Sequence, residues 1–236
     1  MLNQIDTNIV RDFYNKHPSC WASDRFSQMT TKFIDKVVNN VLRSYSADSL
    51  ILNAGSGGKQ YKTSAQQVLM DIAENTLINV PNGIVGDVEN IPFSSETFDC
   101  VICVGTVINY CDAEKAIMEL SRVSKSNAIL IVEYERSESG FIDENHRGDD
   151  VLVFKHKYFG EEHMNLLYSD AFVDKLLDTN GLIVLQSNLF NSTIPWAERF
   201  LSEKLTHSIC GLEPLFRRIR SINVFSHNRI VICKKK

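Results

Sequence analysis

The sequence lacks the features that mark several specialised classes of protein. No apolar run approaches the roughly 20 residues of a membrane-spanning helix, and the opening residues MLNQIDTNIVRDF lack the basic-then-apolar pattern of a signal peptide. There is no internal repeat, low-complexity tract or Pro/Gly-rich linker. The formal net charge of -4 provides no general attraction to nucleic acid. We therefore expect one cytoplasmic domain, with no transmembrane segment and no nucleic-acid partner.

The sequence also shows no cysteine framework, because its six cysteines are scattered through apparent core strands. This distribution favours reduced thiols in a reducing compartment. Cys100 and Cys103 have the C-x-x-C spacing of metal and redox sites. Residues three apart on a strand point to opposite faces, so two separate core thiols are the favoured interpretation, and no metal site is expected.

What the chain does contain is an alternation of short β-rich runs with helical or loop segments. A chain of 236 residues with 44% hydrophobic composition is long and apolar enough for one well-buried α/β domain. Such alternation predicts parallel strands joined by crossovers. The predicted strands are SLILNA, QVLMDI, GIVGD, FDCVICVG, NAILIVEYE, GLIVLQSNLF and SINVFSHNRIVICKKK, with the last three lysines as a solvated tail.

Four helices are predicted around these strands. Asp112 is a plausible N-cap for DAEKAIMELSRVS, and Ser169 for SDAFVDKLLDTNG, which Asn180 and Gly181 end. DTNIVRDFYNKH and MTTKFIDKVVNNVLRSY form two helices ahead of the sheet. VLVFKHKYFGEEHMNLLYS has the pattern of a β-hairpin, in which His156 and His163 are ordinary cross-strand positions.

The run ILNAGSGGKQY is a strand that ends in three glycines within four residues. Such a loop brings backbone N–H groups close to a ligand, as in nucleotide sites. The dinucleotide pattern G-x-G-x-x-G needs a third glycine where Gln60 stands, and no G-K-[ST] follows for a P-loop. An NAD-dependent oxidoreductase is therefore a less favoured alternative.

Two acids follow the glycine loop at the ends of later strands, Asp71 in VLMDIA and Asp87 in GIVGDVENIPF. A carboxylate beyond the second strand can accept both ribose hydroxyls, and one beyond the third can meet an adenine amino group. Each acid alone is explained more simply as a turn-former or helix cap. The ordered set of glycine loop, acid, acid and FDCVICVG favours a nucleoside-like ligand.

Together these motifs, between Leu50 and Glu133, resemble the core of the class I S-adenosylmethionine-dependent methyltransferases. LNAGSGG is similar to the family's glycine motif, Asp71 to its ribose acid, DVENIPF to its adenine-side motif and FDCVICVG to its fourth strand. The resemblance implies a three-layer, Rossmann-like α/β fold with a seven-stranded, mostly parallel sheet whose last strand is antiparallel. Within a single domain, 1–236, we expect an N-terminal helical lid (1–48), a cofactor-binding core (49–135) and substrate-side insertions (136–168 and 191–221).

The same resemblance implies S-adenosyl-L-methionine as cofactor and assigns the residues that hold it. Asp71 and Ile72 would contact the ribose and adenine, and Asp87 and Val88 the adenine edge. The remaining positions would line the methionine end: Asn53, Gly55, Ser56, Gly57, Val104 and Gly105.

The chain departs from the family's pattern at two places near the glycine loop. Asn53 stands where relatives are usually acidic, so it brings no charge to the cofactor's ammonium group. Only sixteen residues separate Gly55 from Asp71, and KQYKTSAQQ lacks helical periodicity. A short turn or irregular loop is expected there instead of a crossover helix.

Methyl transfer from a sulfonium depends on positioning, and a general base helps when the acceptor carries a proton. The candidates for this role are His146 and His163, in the insertion at the carboxyl ends of the strands, and Tyr14, which resembles a lid tyrosine of relatives. A solvated loop histidine or a buried lid aromatic would give the same pattern.

A further insertion between the last two strands carries an apolar helical stripe and the basic run LFRRIR. One interpretation is a helix packed on the sheet with a solvated arginine face. The other is a cap over an apolar substrate, or a contact with a membrane surface or a carrier protein. The stripe consists of Trp196, Phe200, Leu201, Leu205 and Ile209.

The sequence thus predicts a methyltransferase that acts on a small or medium-sized organic acceptor. One interpretation places this reaction in secondary metabolism. A cofactor-binding but inactive methyltransferase-like scaffold is the principal alternative. Asn53 and the shortened loop are the features that allow it.

Overall fold

A computed structural model describes residues 5–18, 25–197 and 209–236 of the chain. Nine strands occur in these ranges. In chain order they are β1 (Leu50–Ala54), β2 (Gln66–Asp71), β3 (Gly83–Val85), β4 (Phe98–Cys103), β5 (Ser124–Glu135), β6 (Val151–Tyr158), β7 (Glu161–Tyr168), β8 (Leu182–Phe190) and β9 (Asn228–Lys235).

The described helices surround the strands. In chain order they are α1 (Thr7–Lys16), α2 (Arg25–Leu42), α3 (Ala113–Val123), α4 (Asp170–Thr179), α5 (Thr193–Ala197), α6 (Glu213–Phe216) and α7 (Arg220–Asn223). Both predicted caps are confirmed, since the Asp112 side chain accepts from the N–H groups of Glu114 and Lys115, and Ser169 accepts from Phe172 N–H. Within the described ranges, no helix combines the length and apolarity needed to cross a bilayer.

Seven strands form one sheet in the order β3-β2-β1-β4-β5-β9-β8. The first five lie parallel to one another, whereas β9 pairs antiparallel with both β5 and β8. The strand order reverses between β1 and β4, so a crevice opens at their carboxyl ends, where open α/β sheets bind ligands. The predicted α/β fold, with its antiparallel last strand, is confirmed.

Hydrophobic layers cover both faces of the sheet. One layer packs α3 and α4 against it through side chains that include Ile117 and Leu177, and the other packs α2 against it through Ile34 and Val38. The neighbouring cysteines of β4 divide between the layers, with Cys103 in the first and Cys100 in the second. The four cysteines whose side chains are described, at 100, 103, 111 and 233, are buried free thiols.

No helix connects β1 to β2, as the missing periodicity predicts. Instead, the loop folds back on the strand ends, with the Asn53 amide donating to the Lys59 carbonyl at 2.8 Å and Gln67 bonding both backbone groups of Tyr61. Tyr61 and α2 fill the layer that a crossover helix would otherwise occupy. The loop is therefore fixed by polar contacts to its own strands.

β6 and β7 form the predicted antiparallel hairpin outside the main sheet. Its turn consists of Phe159 and Gly160, both with positive φ, and His156 lies opposite His163 in the register. Phe13 of α1 packs against the rings of Phe159 and His163. The hairpin thus supports α1 where that helix crosses the carboxyl edge of the sheet.

The prediction for the C-terminal segment is wrong in two respects. The strand begins only at Asn228, because Arg220–Asn223 forms a helical turn before it. Lys234 and Lys235 belong to β9, and the Lys235 ammonium donates to the Ser121 and Ser124 carbonyls at 2.8 Å, so they are not a solvated tail. Most of the predicted apolar stripe between Trp196 and Ile209 lies outside the described residues.

Candidate active site

The carboxyl edge of the sheet encloses a cavity of about 330 Å³. Its floor is formed by the ends of β1 to β5 and β9, and its cover by α1 and the first half of α2. The principal lining residues are Thr7, Val10, Tyr14, Thr30, Ile34, Gly55, Gly57, Asp71, Ile72, Asp87, Val88, Gly105, Thr106, Tyr110, Glu133, Glu135, Phe141, His156, Asn191, His227 and Asn228.

The glycine loop forms the centre of the cavity floor. Gly55 has φ +69°, and a Cβ there would lie 2.4 Å from a methyl carbon of Val107, so only glycine fits. The next turn is fixed by Ser56 N–H, which donates to the Met70 carbonyl at 2.9 Å. The loop therefore presents bare main chain to the cavity.

Asp71 is placed at the end of β2 and links the glycine loop to the following turn. One carboxylate oxygen accepts from Gly57 N–H at 2.7 Å and the other from Ala73 N–H at 3.0 Å. Burial raises the pKa of Asp71 in spite of these hydrogen bonds. Each oxygen can still accept another hydrogen bond, so the carboxylate fits a ligand with two hydroxyl donors. Asp71 also stabilises the turn through these backbone hydrogen bonds, as the simpler interpretation of this residue predicts.

Seven of the ten predicted cofactor-binding residues line the cavity: Gly55, Gly57, Asp71, Ile72, Asp87, Val88 and Gly105. Asn53, Ser56 and Val104 are not among the lining residues, and they are buried. Asn53 is occupied by its hydrogen bond to the Lys59 carbonyl, so its side chain holds the loop. The sequence motifs therefore locate these seven lining residues, but they do not reveal the two acids at the end of β5.

Glu133, near the end of β5, is a fully buried lining carboxylate that the sequence analysis missed. One oxygen accepts from Gly105 N–H at 2.9 Å and from Thr106 N–H at 2.8 Å, and the other accepts from the Asn228 amide at 2.7 Å. Burial raises the pKa of Glu133 to about 7, because its effect is larger than that of these hydrogen bonds, which lower the pKa. Within the described part of the chain, no lysine or arginine forms an ion pair with it.

Glu135 lies two residues farther along β5, on the same face of the sheet. Its carboxylate accepts from the Asn165 amide at 2.6 Å and lies 3.4 Å from His227 Nε2. Burial raises the pKa of Glu135, but His227 and Asn165 lower it by more, so the group is an anion at neutral pH. His227 Nδ1 is 2.9 Å from Ser139 Oγ, which fixes the ring.

A sequence signal for these two acids did exist. In AILIVEYE they are the charged residues of an otherwise apolar buried strand, they are two apart, and they stand at its carboxyl end. Period-two spacing places both side chains on one face of the sheet. The pattern therefore indicated a pair of buried acids beside the switch point of the sheet.

The three predicted catalytic candidates lie in different surroundings. Tyr14 lines the cavity from α1. His146 is an exposed loop residue that pairs with Asp149 at 3.2 Å and is not among the lining residues. His163 packs against Phe13 and Tyr110, and burial lowers its pKa to about 4, so its ring is neutral at pH 7. The lining histidines are His156 and His227, neither of which was selected.

Comparison with known proteins agrees with this geometry. A family model described as a methyltransferase domain matches residues 52–132. The chain is 29% identical over 98 residues to the ubiquinone/menaquinone biosynthesis C-methyltransferase UbiE of Marinomonas sp. (strain MWYL1). That match covers 38% of this chain and 38% of the relative, so the chain spans less than half the length of this curated relative.

Solved structures share the fold over nearly the whole chain. The [4+2]-cyclase SpnF has a TM-score of 0.61 at 12% identity, with 96% of this chain and 94% of that chain covered. The 1,6-didemethyltoxoflavin-N1-methyltransferase of Burkholderia thailandensis, with S-adenosylhomocysteine bound, has a TM-score of 0.58 at 10% identity, covering 98% and 88%.

The domain match over residues 52–132 and the shared fold make this chain similar to S-adenosylmethionine-dependent methyltransferases. The cavity fits S-adenosylmethionine at the nucleoside end, because Asp71 and Asp87 line it beside a glycine loop in which Gly55 leaves no room for a Cβ against Val107.

Proposed function

We propose that the protein transfers the methyl group of S-adenosylmethionine to a small or medium-sized organic acceptor. The observation that carries the proposal is the continuity of the cavity, which runs from Asp71 and Asp87 across the glycine loop to Glu135 and His227. Cofactor and acceptor would thus lie end to end in one cavity. When bound, S-adenosylmethionine supplies an activated methyl group, so the protein has to position the partners and exclude water.

The nucleoside would lie over β2 and β3. In this proposal Asp71 accepts the ribose hydroxyls, Ile72 and Val88 contact the adenine, and Asp87 accepts from its amino group. Support comes from the position of all four residues on the lining, in strand order. Gly55, Gly57 and Gly105 leave room for the chain that joins the ribose to the methionine group.

The acceptor would lie over β4, β5 and β9, below α1. Glu135 is the proton acceptor of this proposal, because it is an anion at the far end of the cavity, held by Asn165 and His227. Asn109 positions it by accepting from Glu135 N–H at 2.9 Å and donating to its carbonyl at 3.0 Å. Such a carboxylate is a weak base, and it can accept the proton that an acceptor hydroxyl or amine loses as it is methylated.

The lining carries four carboxylates, Asp71, Asp87, Glu133 and Glu135, and the described residues contribute no lysine or arginine to it. A negative cavity attracts cationic ligands and repels anionic ones. We therefore propose a neutral or cationic acceptor. A small molecule is supported by the size of the cavity and by the small compound after which the 1,6-didemethyltoxoflavin-N1-methyltransferase is named.

The direct test is release of S-adenosylhomocysteine when the protein is incubated with S-adenosylmethionine and a panel of small acceptors. The panel pairs each amine or phenol with a carboxylate of the same ring size. Turnover of amines or phenols and none of the carboxylates is expected, and Glu135→Gln should lower kcat by about 100-fold or more. Turnover of carboxylates alone would contradict the proposed acceptor class.

A second function is favoured by one specific observation. The fold neighbour SpnF is described as a [4+2]-cyclase, so this fold also serves a protein named for another reaction. The alternative is a protein that binds the cofactor without transferring its methyl group. Tight cofactor binding together with no S-adenosylhomocysteine release across the panel would favour it.

A further inference from the structure

We infer that Glu133 binds the ammonium group of the cofactor's methionine moiety, in place of the acid that is missing at Asn53. The inference rests on the proposed cofactor site and adds a residue to it. The cofactor's amino-acid arm carries a cation, and the end of β1 offers it no acid, since Asn53 is neutral, buried and not among the lining residues. Another group on the cavity wall must therefore supply the negative charge.

Position along the sheet selects Glu133. With the nucleoside over β2 and β3, the arm that leaves the ribose extends over β1 toward β4. Asp71 and Gly105 stand at the ends of β2 and β4, two strands or about 10 Å apart. Glu133 accepts hydrogen bonds from Gly105 and Thr106, so its carboxylate is held at this end of β4.

The hydrogen bonding of Glu133 leaves room for such a ligand. An ionised carboxylate has about four acceptor sites, and three are taken by Gly105 N–H, Thr106 N–H and the Asn228 amide. The remaining site is on the oxygen that faces Asn228. Among the described residues no lysine or arginine pairs with Glu133, which is unfavourable for a buried anion, and burial raises its pKa to about 7. An ammonium at this point would remove that penalty.

The other cavity acids are already assigned. Asp71 and Asp87 lie at the nucleoside end, and Glu135 is held by Asn165 and His227 one step beyond Glu133. Glu133 is therefore the carboxylate placed between the ribose and the acceptor, where the methionine group has to lie.

A cycle of two ligands and two proteins tests the inference by calorimetry. The ligands are S-adenosylhomocysteine and its analogue without the amino group, and the proteins are the wild type and Glu133→Gln. In the wild type the analogue should bind about 10- to 100-fold more weakly. In Glu133→Gln, S-adenosylhomocysteine should lose the same factor, so that both ligands bind alike.

5′-Methylthioadenosine, which lacks the whole amino-acid arm, is the matched control ligand. Its affinity should change less than about twofold in Glu133→Gln, and this also shows that the variant is folded. Equal affinity of the wild type for the first two ligands would overturn the inference without any variant, as would a parallel loss for all three ligands in Glu133→Gln. If no ligand binds the wild type, the proposed function fails instead.

Discussion

Four carboxylates line one cavity at the carboxyl ends of three parallel strands, β2, β3 and β5, and their surroundings make them different. Asp71 bonds two backbone N–H groups, Glu133 bonds two N–H groups and an amide, and Glu135 lies beside His227. Burial raises the pKa of Asp71 and Glu133, whereas His227 and Asn165 outweigh burial and lower the pKa of Glu135. Similar side chains therefore suit different ligand groups.

Replacing Asp71 with alanine tests the ribose assignment. The affinity for S-adenosylhomocysteine should fall about 10- to 100-fold, because two hydrogen bonds to a charged acceptor are lost. Asp99→Ala is the control, since Asp99 also bonds a backbone N–H, that of Leu50 at 2.9 Å, but at the opposite edge of the sheet. Calorimetry should show unchanged binding for Asp99→Ala, and unchanged binding for Asp71→Ala would refute the assignment.

The raised pKa of Glu133 predicts a pH-dependent stability difference in the ligand-free protein. The pKa of Glu133 is about 7 in the folded protein, above the usual 4.5 of the unfolded chain. Protonated Glu133 therefore stabilises the fold fully below pH 4.5, and this stabilisation is lost as the pH rises through 7. From about pH 5 to about pH 8, Glu133→Gln should therefore gain stability over the wild type by up to about 3 kcal/mol.

Urea unfolding at the two pH values measures this difference. Glu135, Asp35 and Tyr61 also face this region, and they are present in both proteins, so comparing the proteins isolates Glu133. A difference that is the same at both pH values would contradict the assignment of the raised pKa.

At residue level, sequence patterns predicted what is local. Gly55 and Asp71 follow directly from strand-end chemistry, and both line the cavity. Glu135 and His227 were missed because they are 92 positions apart in the sequence and meet only when β9 pairs beside β5. His146 was selected for its loop position, which does not reveal how far a loop extends from the cavity.

At the scale of elements, three segments converge on the first turn of α4. The Asp170 carboxylate accepts from Tyr134 OH at 2.9 Å and from two Arg136 nitrogens at 2.8 Å, and Arg229 lies 3.6 Å away. Both arginines are buried. Burial raises the pKa of Asp170, but Arg136 and Arg229 lower it by more, so the carboxylate remains charged and joins β5, β9 and α4.

Asp170→Asn should destabilise the fold by about 3 to 5 kcal/mol, because it leaves two buried cations with less compensation. Asp178→Asn, on the same helix, is the matched control. Asp178 is 84% exposed and lies 3.6 Å from Lys236, so its replacement should change the free energy of unfolding by less than about 0.5 kcal/mol. Urea unfolding of the two variants decides the matter, and equal losses would refute the proposed junction.

Element prediction succeeded where periodicity was strong and failed where tertiary packing decides. The missing periodicity of KQYKTSAQQ correctly predicted a loop after β1. The run SINVFSHN is rich in β-forming residues, yet its first residues belong to the helical turn Arg220–Asn223. The pairing of β9 with β5 ends where Asn228 lies opposite Glu135, so the residues before Asn228 have no strand to pair with there. The lid role of residues 1–48 stays a prediction.

For the whole molecule, α1 and α2 close the crevice from above and the sheet closes it from below. Asn15 of α1 bonds Asn75 through both backbone and side chain, at 2.9 and 3.0 Å, and Lys16 pairs with Glu161 of the hairpin. The cover is thus attached on both sides of the cavity. A ligand inside would contact the sheet and both covering helices.

Ligand binding should therefore stabilise the entire chain. At S-adenosylhomocysteine concentrations about 100-fold above Kd, linkage adds about 2.7 kcal/mol, which for a chain of this length raises Tm by about 5 to 10 °C. Differential scanning calorimetry with and without the ligand measures the shift. NADH serves as the control ligand and should leave Tm unchanged, whereas stabilisation by NADH alone would favour an oxidoreductase.

The most direct test of the central claim is isothermal titration of the wild-type protein with S-adenosylhomocysteine. Saturable binding is expected, with one site per chain and a Kd in the micromolar range. No detectable binding at ligand concentrations of about 1 mM would contradict the assignment of this cavity to the cofactor, and with it the proposed methyl transfer.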